Sequence, residues 1–224
     1  IDMVLKLWQA TAPFDFQGQY YRIRIQNPIP ELGMGELLRP YQQPHPPIAM
    51  SIMKGQSLAA TMSGERGYIP LSTNLVPVST VCEHWQTYCA GAAAAGRPTP
   101  DRSIWRVSRS IYVGESNAEA WEHCLNGTFG RALAYLITIL RQAKSLHLAK
   151  HDLSIPDDEI TPAYLMKHLC VIGDRESVTA QLRELYDATG GFGTLLMIAH
   201  DWDDKEKWLR SMQRLAHEVV PALP

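Results

Sequence analysis

Apolar positions along this chain fall into a repeated rhythm: short runs without polar alternation, each followed by a helical stripe. The run PPIAMSIM, entered from prolines, passes through Lys54, Gly55, Gln56 and Ser57 into a stripe of Leu58, Ala59 and Met62, which reads as strand, polar turn and helix. RGYIPLST repeats the strand. After it, Val78, Val81, Cys82, Trp85 and Cys89 share one helical face until Gly96 and Pro98 stop the pattern. SIWRVSRSIYVGES is a third strand, with Ser116 or Asn117 placed to cap a helix over Ala118 to Cys124. Residues 126–149 carry a further stripe through Phe129, Leu133, Leu136, Ile137 and Leu140, and a loop then leads to a short helix near Ala163 to Leu169. In the last unit Asp174 stands as an N-cap, Val178, Leu182 and Leu185 share a face, and Gly190 and Gly191 end the helix. GTLLMIAH follows as a strand, and a closing helix carries Trp208, Met212, Leu215 and Val219.

Strands without polar alternation need cover on both faces, so these four predict parallel pairing with helices outside, an α/β class. A closed (β/α)8 barrel has eight such units. The expectation is therefore the C-terminal half of a TIM barrel, strands five to eight, within a single domain over 1–224. Ahead of it, residues 2–10 predict a helix that ends before Pro13, and APFDFQGQYYRIRI predicts a hairpin. Residues 11–46, rich in proline and glycine, read as an inserted loop region holding that hairpin. The chain opens on IDMVLKLWQ, already inside an amphipathic pattern, which predicts a preceding part.

Composition narrows the partners. With 224 residues, a net charge of -2 and 46% hydrophobic residues, nothing electrostatic favours nucleic acid or a membrane surface, and small neutral partners are expected. Cys82, Cys89, Cys124 and Cys170 form no CxxC pair, which suggests buried thiols in a reducing compartment. With no signal peptide and no apolar run of about 18 residues, the expected location is cytoplasmic.

Several segments in one order carry a resemblance: PFDFQGQYYRI, PYQQPHPPIAM, RSIYVGESNAEA, then VIGDRESVTAQLRELYDATGGFGTLLMIAHDWDD and an ending EVVPAL. Together they resemble the C-terminal part of flavin-dependent monooxygenases of the bacterial luciferase-like superfamily, in the branch described as limonene or alkane monooxygenase-like. The resemblance implies a TIM barrel that binds FMN, reduced by a separate flavin reductase, and uses dioxygen to oxygenate a small apolar organic substrate. A half-barrel complete at this length would leave parallel strand edges for another chain to cover, so a homo-oligomer is expected. Two alternatives stay open: a non-catalytic or incomplete flavin-binding fragment, and a deazaflavin-dependent oxidoreductase of the same superfamily.

The resemblance places the FMN phosphate on the turn after the first of the four strands, giving Met50, Ser51, Met53, Lys54, Gly55, Gln56 and Ser57 as cofactor-binding residues. A helix N-terminus there offers unpaired N–H groups and a positive dipole end. Relatives carry a Ser-Pro-x-Ser type turn, whereas this chain reads Lys54-Gly55-Gln56-Ser57, in which Ser57 keeps the hydroxyl and Lys54 offers a cation. Ser72, at the end of the next strand, joins the cofactor set. His200 and Asp201, at the end of the last strand, are expected in the substrate pocket wall, and no catalytic residue is assigned.

Plainer readings stand beside these. KGQS also suits a helix cap, and Asp203 or Asp204 suits the same role for the final helix. Cys82, Glu83, His84 and Cys89 read as a packed stripe and no metal site. Arg106 and Arg109 either bind a phosphate or pair with acidic neighbours, the commoner use. Phe14, Phe16, Tyr20 and Tyr21 either line a substrate entrance or pack within their own hairpin. His123, His147, His151, His168 and His217 are expected to face solvent.

Overall fold

A computed structural model describes residues 1–199 and 204–223. The chain divides into two units, Ile1–Ile48 and Ala49–Pro224.

In the first unit, helix α1 (Asp2–Gln9) precedes strands β1 (Phe14–Gln17) and β2 (Arg22–Ile25). They pair antiparallel with Phe14 opposite Ile25 and Phe16 opposite Ile23. Period-2 alternation puts these four on the half-buried face. The rings of Phe14 and Phe16 stack at 4.9 Å, and Arg22 ion-pairs with Asp15 on the exposed face. The hairpin thus packs its own phenylalanines, while Tyr20 and Tyr21 stay in the turn, exposed.

The second unit holds β3 (Ala49–Ile52), α2 (Leu58–Arg66), β4 (Ile69–Ser72), α3 (Val78–Ala94) and β5 (Arg106–Val113). Helices α4 (Asn117–Asn126), α5 (Thr128–Gln142) and α6 (Pro162–Leu169) come next, then β6 (Val171–Gly173), α7 (Arg175–Thr189), β7 (Thr194–Ile198) and α8 (Lys205–Arg214). All strand pairings here are parallel: β3 with β4, β4 with β5, and both β6 and β7 with β5. The four strands expected from the sequence are β3, β4, β5 and β7. The fifth, β6, escapes pattern reading because three residues show no period. It exists because β5 outruns its neighbour: β7 pairs with Arg106 to Ser110, and β6 takes Ile111 to Val113.

The period of β5 splits the core. Val107, Ile111 and Val113 pack against Val81 and Trp85 of α3, Val178, Leu182 and Leu185 of α7, and Leu215. Tyr112, on the opposite face, joins Phe129, Leu133, Leu165 and Trp208. Full burial of each large side chain contributes roughly 1.5–3 kcal/mol. Glycines bring α2 and α3 into close approach, since a Cβ on Gly64 would strike the backbone of Tyr88 and Ala92, and one on Gly91 the backbone of Thr61. Among the described residues no helix is long and apolar enough to cross a membrane.

Candidate functional site

Parallel strands deliver their carboxyl ends to one side of a sheet, and the turn between β3 and α2 lies there. Ser57 is the N-cap of α2: its extended backbone lets Oγ accept from the N–H of Ala60 at 3.3 Å, while its carbonyl receives the N–H of Thr61 at 3.1 Å. The hydroxyl proton of Ser57 and the first-turn N–H groups of Leu58 and Ala59 meet no acceptor among the described residues. Met53, Lys54 and Gln56 are exposed beside them, Ser51 is exposed on β3, and Met50 is half-buried. Gly55 is buried against α3. A methyl group there would overlap the carboxylate of Glu83 and come within 2.7 Å of its Cβ, so only glycine lets the turn lie this close. The turn thus combines a cation at Lys54, a hydroxyl and helix donors, with one opposing charge at Glu83.

Behind the turn stands a buried polar lattice. Ser72 ends β4, fully enclosed; its Oγ accepts from Trp105 Nε1 at 2.9 Å and lies 2.9 Å from His84 Nδ1. Its carbonyl accepts from Ser108 Oγ at 2.8 Å. Because the indole can only donate, the Ser72 hydroxyl is free to give its own proton to His84 Nδ1. Burial pulls His84 down to about 4, against the pull of the Met53 carbonyl and helped by the charge of Arg109. At neutral pH the imidazole is therefore uncharged. Its Nε2 makes no hydrogen bond.

The strand ends are tied to one another. Thr73 donates both its N–H and its Oγ1 to the carbonyl of Ile52, each at 3.0 Å. Asn74 accepts from the N–H of Ser110 at 2.8 Å and donates Nδ2 to Ser110 Oγ at 2.6 Å. Leu75 follows with φ 58°, a left-handed conformation that costs a residue with a Cβ about 1–2 kcal/mol and is held by the bonds around it. These contacts give the turn a rigid base.

Of the eight residues expected to bind cofactor, Ser51, Met53, Lys54 and Gln56 are exposed, Met50 and Ser57 are partly buried, and Gly55 shapes the backbone of the turn. Ser72 lies one layer deeper, its hydroxyl engaged with Trp105 and His84. His200, Asp201 and Asp203 lie outside the described residues. Asp204 caps α8 by accepting from the N–H of Lys207 at 3.1 Å. Among the described residues neither arginine of β5 is paired with a carboxylate: Arg106 donates to the carbonyl of Ser103 at 2.7 Å and Arg109 to that of Ser108 at 3.1 Å. His147, His151 and His217 face solvent, but His123 stacks on Tyr112 at 4.9 Å and His168 on His151 at 3.8 Å. His84, read from the sequence as part of a packed stripe, has a polar role that reading did not give it. Its signal was spacing, since it lies on the same helical face as Val81, Tyr88 and Ala92.

The second unit is thus a parallel α/β scaffold whose β3–α2 turn offers a cation, a hydroxyl and first-turn N–H groups, a donor set of the kind that suits an anionic group. Comparison with known proteins carries this to a family. The model for luciferase-like monooxygenases matches residues 1–191, and the chain belongs to that family. It is 29% identical to 3,6-diketocamphane 1,6-monooxygenase of Pseudomonas putida over 97% of this chain and 59% of the relative. It is 31% identical to limonene 1,2-monooxygenase of Rhodococcus erythropolis over 67% of this chain and 36% of that protein. A solved structure of the oxygenating constituent of 3,6-diketocamphane monooxygenase in complex with FMN, a type II Baeyer-Villiger monooxygenase, matches at TM-score 0.81 and 28% identity, covering all of this chain and 62% of that one. The chain therefore spans about 60% of the length of these first relatives. F420-dependent tetrahydromethanopterin reductase from Methanopyrus kandleri, at 16% identity and TM-score 0.59, shares the fold.

Proposed function

We propose that this chain is the flavin-phosphate-holding part of an FMN-dependent monooxygenase, corresponding to strands five to eight of a (β/α)8 barrel. The observation that carries the reading is the turn itself: it brings together the first-turn N–H groups of α2, the Ser57 hydroxyl and the exposed Lys54, with the Glu83 carboxylate as the one opposing charge against Gly55. That donor set fits a phosphate monoester. The relative with an FMN complex favours FMN over a deazaflavin, because the F420-dependent neighbours resemble this chain in fold alone.

In this reading the Ser57 hydroxyl and the N–H groups of Leu58 and Ala59 donate to the phosphate oxygens, and Lys54 offsets the phosphate charge. Gly55 lets the backbone close around it, with Met50, Ser51, Met53 and Gln56 along the chain that leads there. Ser72 acts indirectly: bonded to Trp105 and His84, it fixes the end of β4 beside the turn. The bound reduced flavin supplies the reaction with dioxygen, and the protein's task is to position it and exclude water. The substrate is a small apolar molecule, the chemistry of the diketocamphane and limonene in the names of the two relatives above; a separate reductase supplies the reduced flavin. The β3 edge, paired only with β4 among the described residues, needs cover from further chain or another subunit.

The test is incorporation of oxygen-18 from labelled dioxygen into a monoterpene or bicyclic diketone in the presence of chemically reduced FMN. Label in the product, absent without FMN, is expected. FMN binding with no labelled product would instead assign the chain a flavin-holding role without catalysis.

A further inference from the structure

On the helix-facing side of β5, among Val107, Ile111 and Val113, stands a cation with no partner of opposite charge among the described residues. Arg109 is 3% exposed, and one guanidinium nitrogen donates to the Ser108 carbonyl while Nη2 makes no hydrogen bond. The ionisable groups nearest in effect are the thiols of Cys82 and Cys170. Burial pushes Cys170 up to about 12, so it is a neutral thiol at physiological pH. Burial likewise pulls Arg109 down to about 10, which leaves it protonated there. A buried, charged, half-satisfied guanidinium is expensive unless something anionic meets it.

Space for that something exists. Arg109 lines a cavity of about 460 Å³. Its wall includes the first turn of α3, Pro77 to Ser79, where Pro77 is the N-cap and no side chain caps the 17-residue helix. The exposed Lys167 reaches the same cavity, and Leu169, Leu185 and Ala188 supply apolar wall. Glu184 also lines it, and His151 and His168 stand at it as a stacked pair. A buried fork of donors, an uncapped helix N-terminus and a lysine on one cavity make an oxyanion-binding arrangement.

We propose that this cavity is a second anion site, separate from the Lys54–Ser57 turn, that takes the phosphate or carboxylate of a small organic acid on Arg109, Lys167 and the first turn of α3. The site does not depend on the flavin reading: it lies between α3, β5 and α7, and none of its residues belongs to the turn.

Thermal melting with sodium phosphate, butyl phosphate or butyrate, each against sodium chloride at equal ionic strength, tests it. At least one of the three raises the melting temperature of the wild type above the chloride value, and saturating FMN leaves the rise intact. Arg109→Met, which exchanges the buried cation for an apolar chain of similar length, is as stable as the wild type in chloride or more so, and binds the anion at least about tenfold more weakly. Lys167→Ala, an exposed change, weakens binding about threefold, and this variant decides the matter if Arg109→Met does not fold. No rise beyond chloride, a rise unaltered in Lys167→Ala or kept in Arg109→Met, or one abolished by FMN overturns the proposal. The last result would mean the anion sits on the flavin turn.

Discussion

His84 Nδ1 lies 2.9 Å from the hydroxyl of Ser72, with both side chains sealed from solvent. The pair joins α3 to the end of β4 and works only with a neutral imidazole, since a proton on Nδ1 would compete with the one Ser72 donates. His84 is depressed from 6.5 in the unfolded chain to about 4 in the fold. Between these values the unfolded state binds more protons, so stability is fully present above about 6.5 and is lost as pH falls toward 4. Urea unfolding at pH 7 and 4.5 should show the wild type losing about 2 kcal/mol more than His84→Gln. Equal losses would contradict this role for His84.

Gly55 and Glu83 set the shape and charge of the turn. Gly55→Ala forces the Glu83 side chain away and should weaken FMN binding about tenfold or more, whereas Gly55→Ala with Glu83→Ala should recover part of it. Glu83→Gln alone removes the carboxylate nearest the phosphate donors and should tighten FMN two- to fivefold, the range expected of an exposed charge. Fluorescence titration of FMN measures all three. Unchanged affinity in Gly55→Ala would place the phosphate elsewhere.

Arg102 fastens the end of α7 to the aromatic layer. It donates to the carbonyls of Thr189 at 2.6 Å and Gly191 at 3.3 Å, and its guanidinium lies 5.2 Å from the ring of Trp85 and 5.7 Å from that of Trp105. Arg102→Met keeps the aliphatic stem and loses both sets of contacts, which should cost about 2–3 kcal/mol in urea unfolding. Arg102→Lys should recover less than half, because an ammonium cannot reach two carbonyls and a ring face in one plane. A loss under about 0.5 kcal/mol in the methionine variant would show that the contacts are marginal.

The fold was legible where apolar runs were long enough to carry a period. Asp174 and Asp204 cap their helices as the sequence suggested, and Gly190, at φ 70°, ends α7. What pattern could not supply was contact across the sheet. β6 is a strand because β5 extends past β7, a fact of register that Val171 to Gly173 do not encode. The turn at Lys54 to Ser57 was visible as polar residues between strand and helix, and the order of motifs gave it a family. Ser72 looked accessible because strand ends usually are; its burial follows from Trp105 and His84, 33 and 12 residues away in sequence. Arg109 looked like half of an ion pair because arginine commonly meets a carboxylate, and only the packing of α3 and α7 shows that no carboxylate among the described residues meets it.

The central claim is that the turn at the start of α2 holds the phosphate of FMN, and comparing FMN with riboflavin tests it most directly because the two differ only in that group. Titrated into the reduced-flavin-free protein, FMN should bind at least tenfold more tightly than riboflavin, a margin of about 1.4 kcal/mol, and Ser57→Ala with Lys54→Ala should erase most of the difference. Equal binding of the two flavins, or no binding of either, would contradict the account.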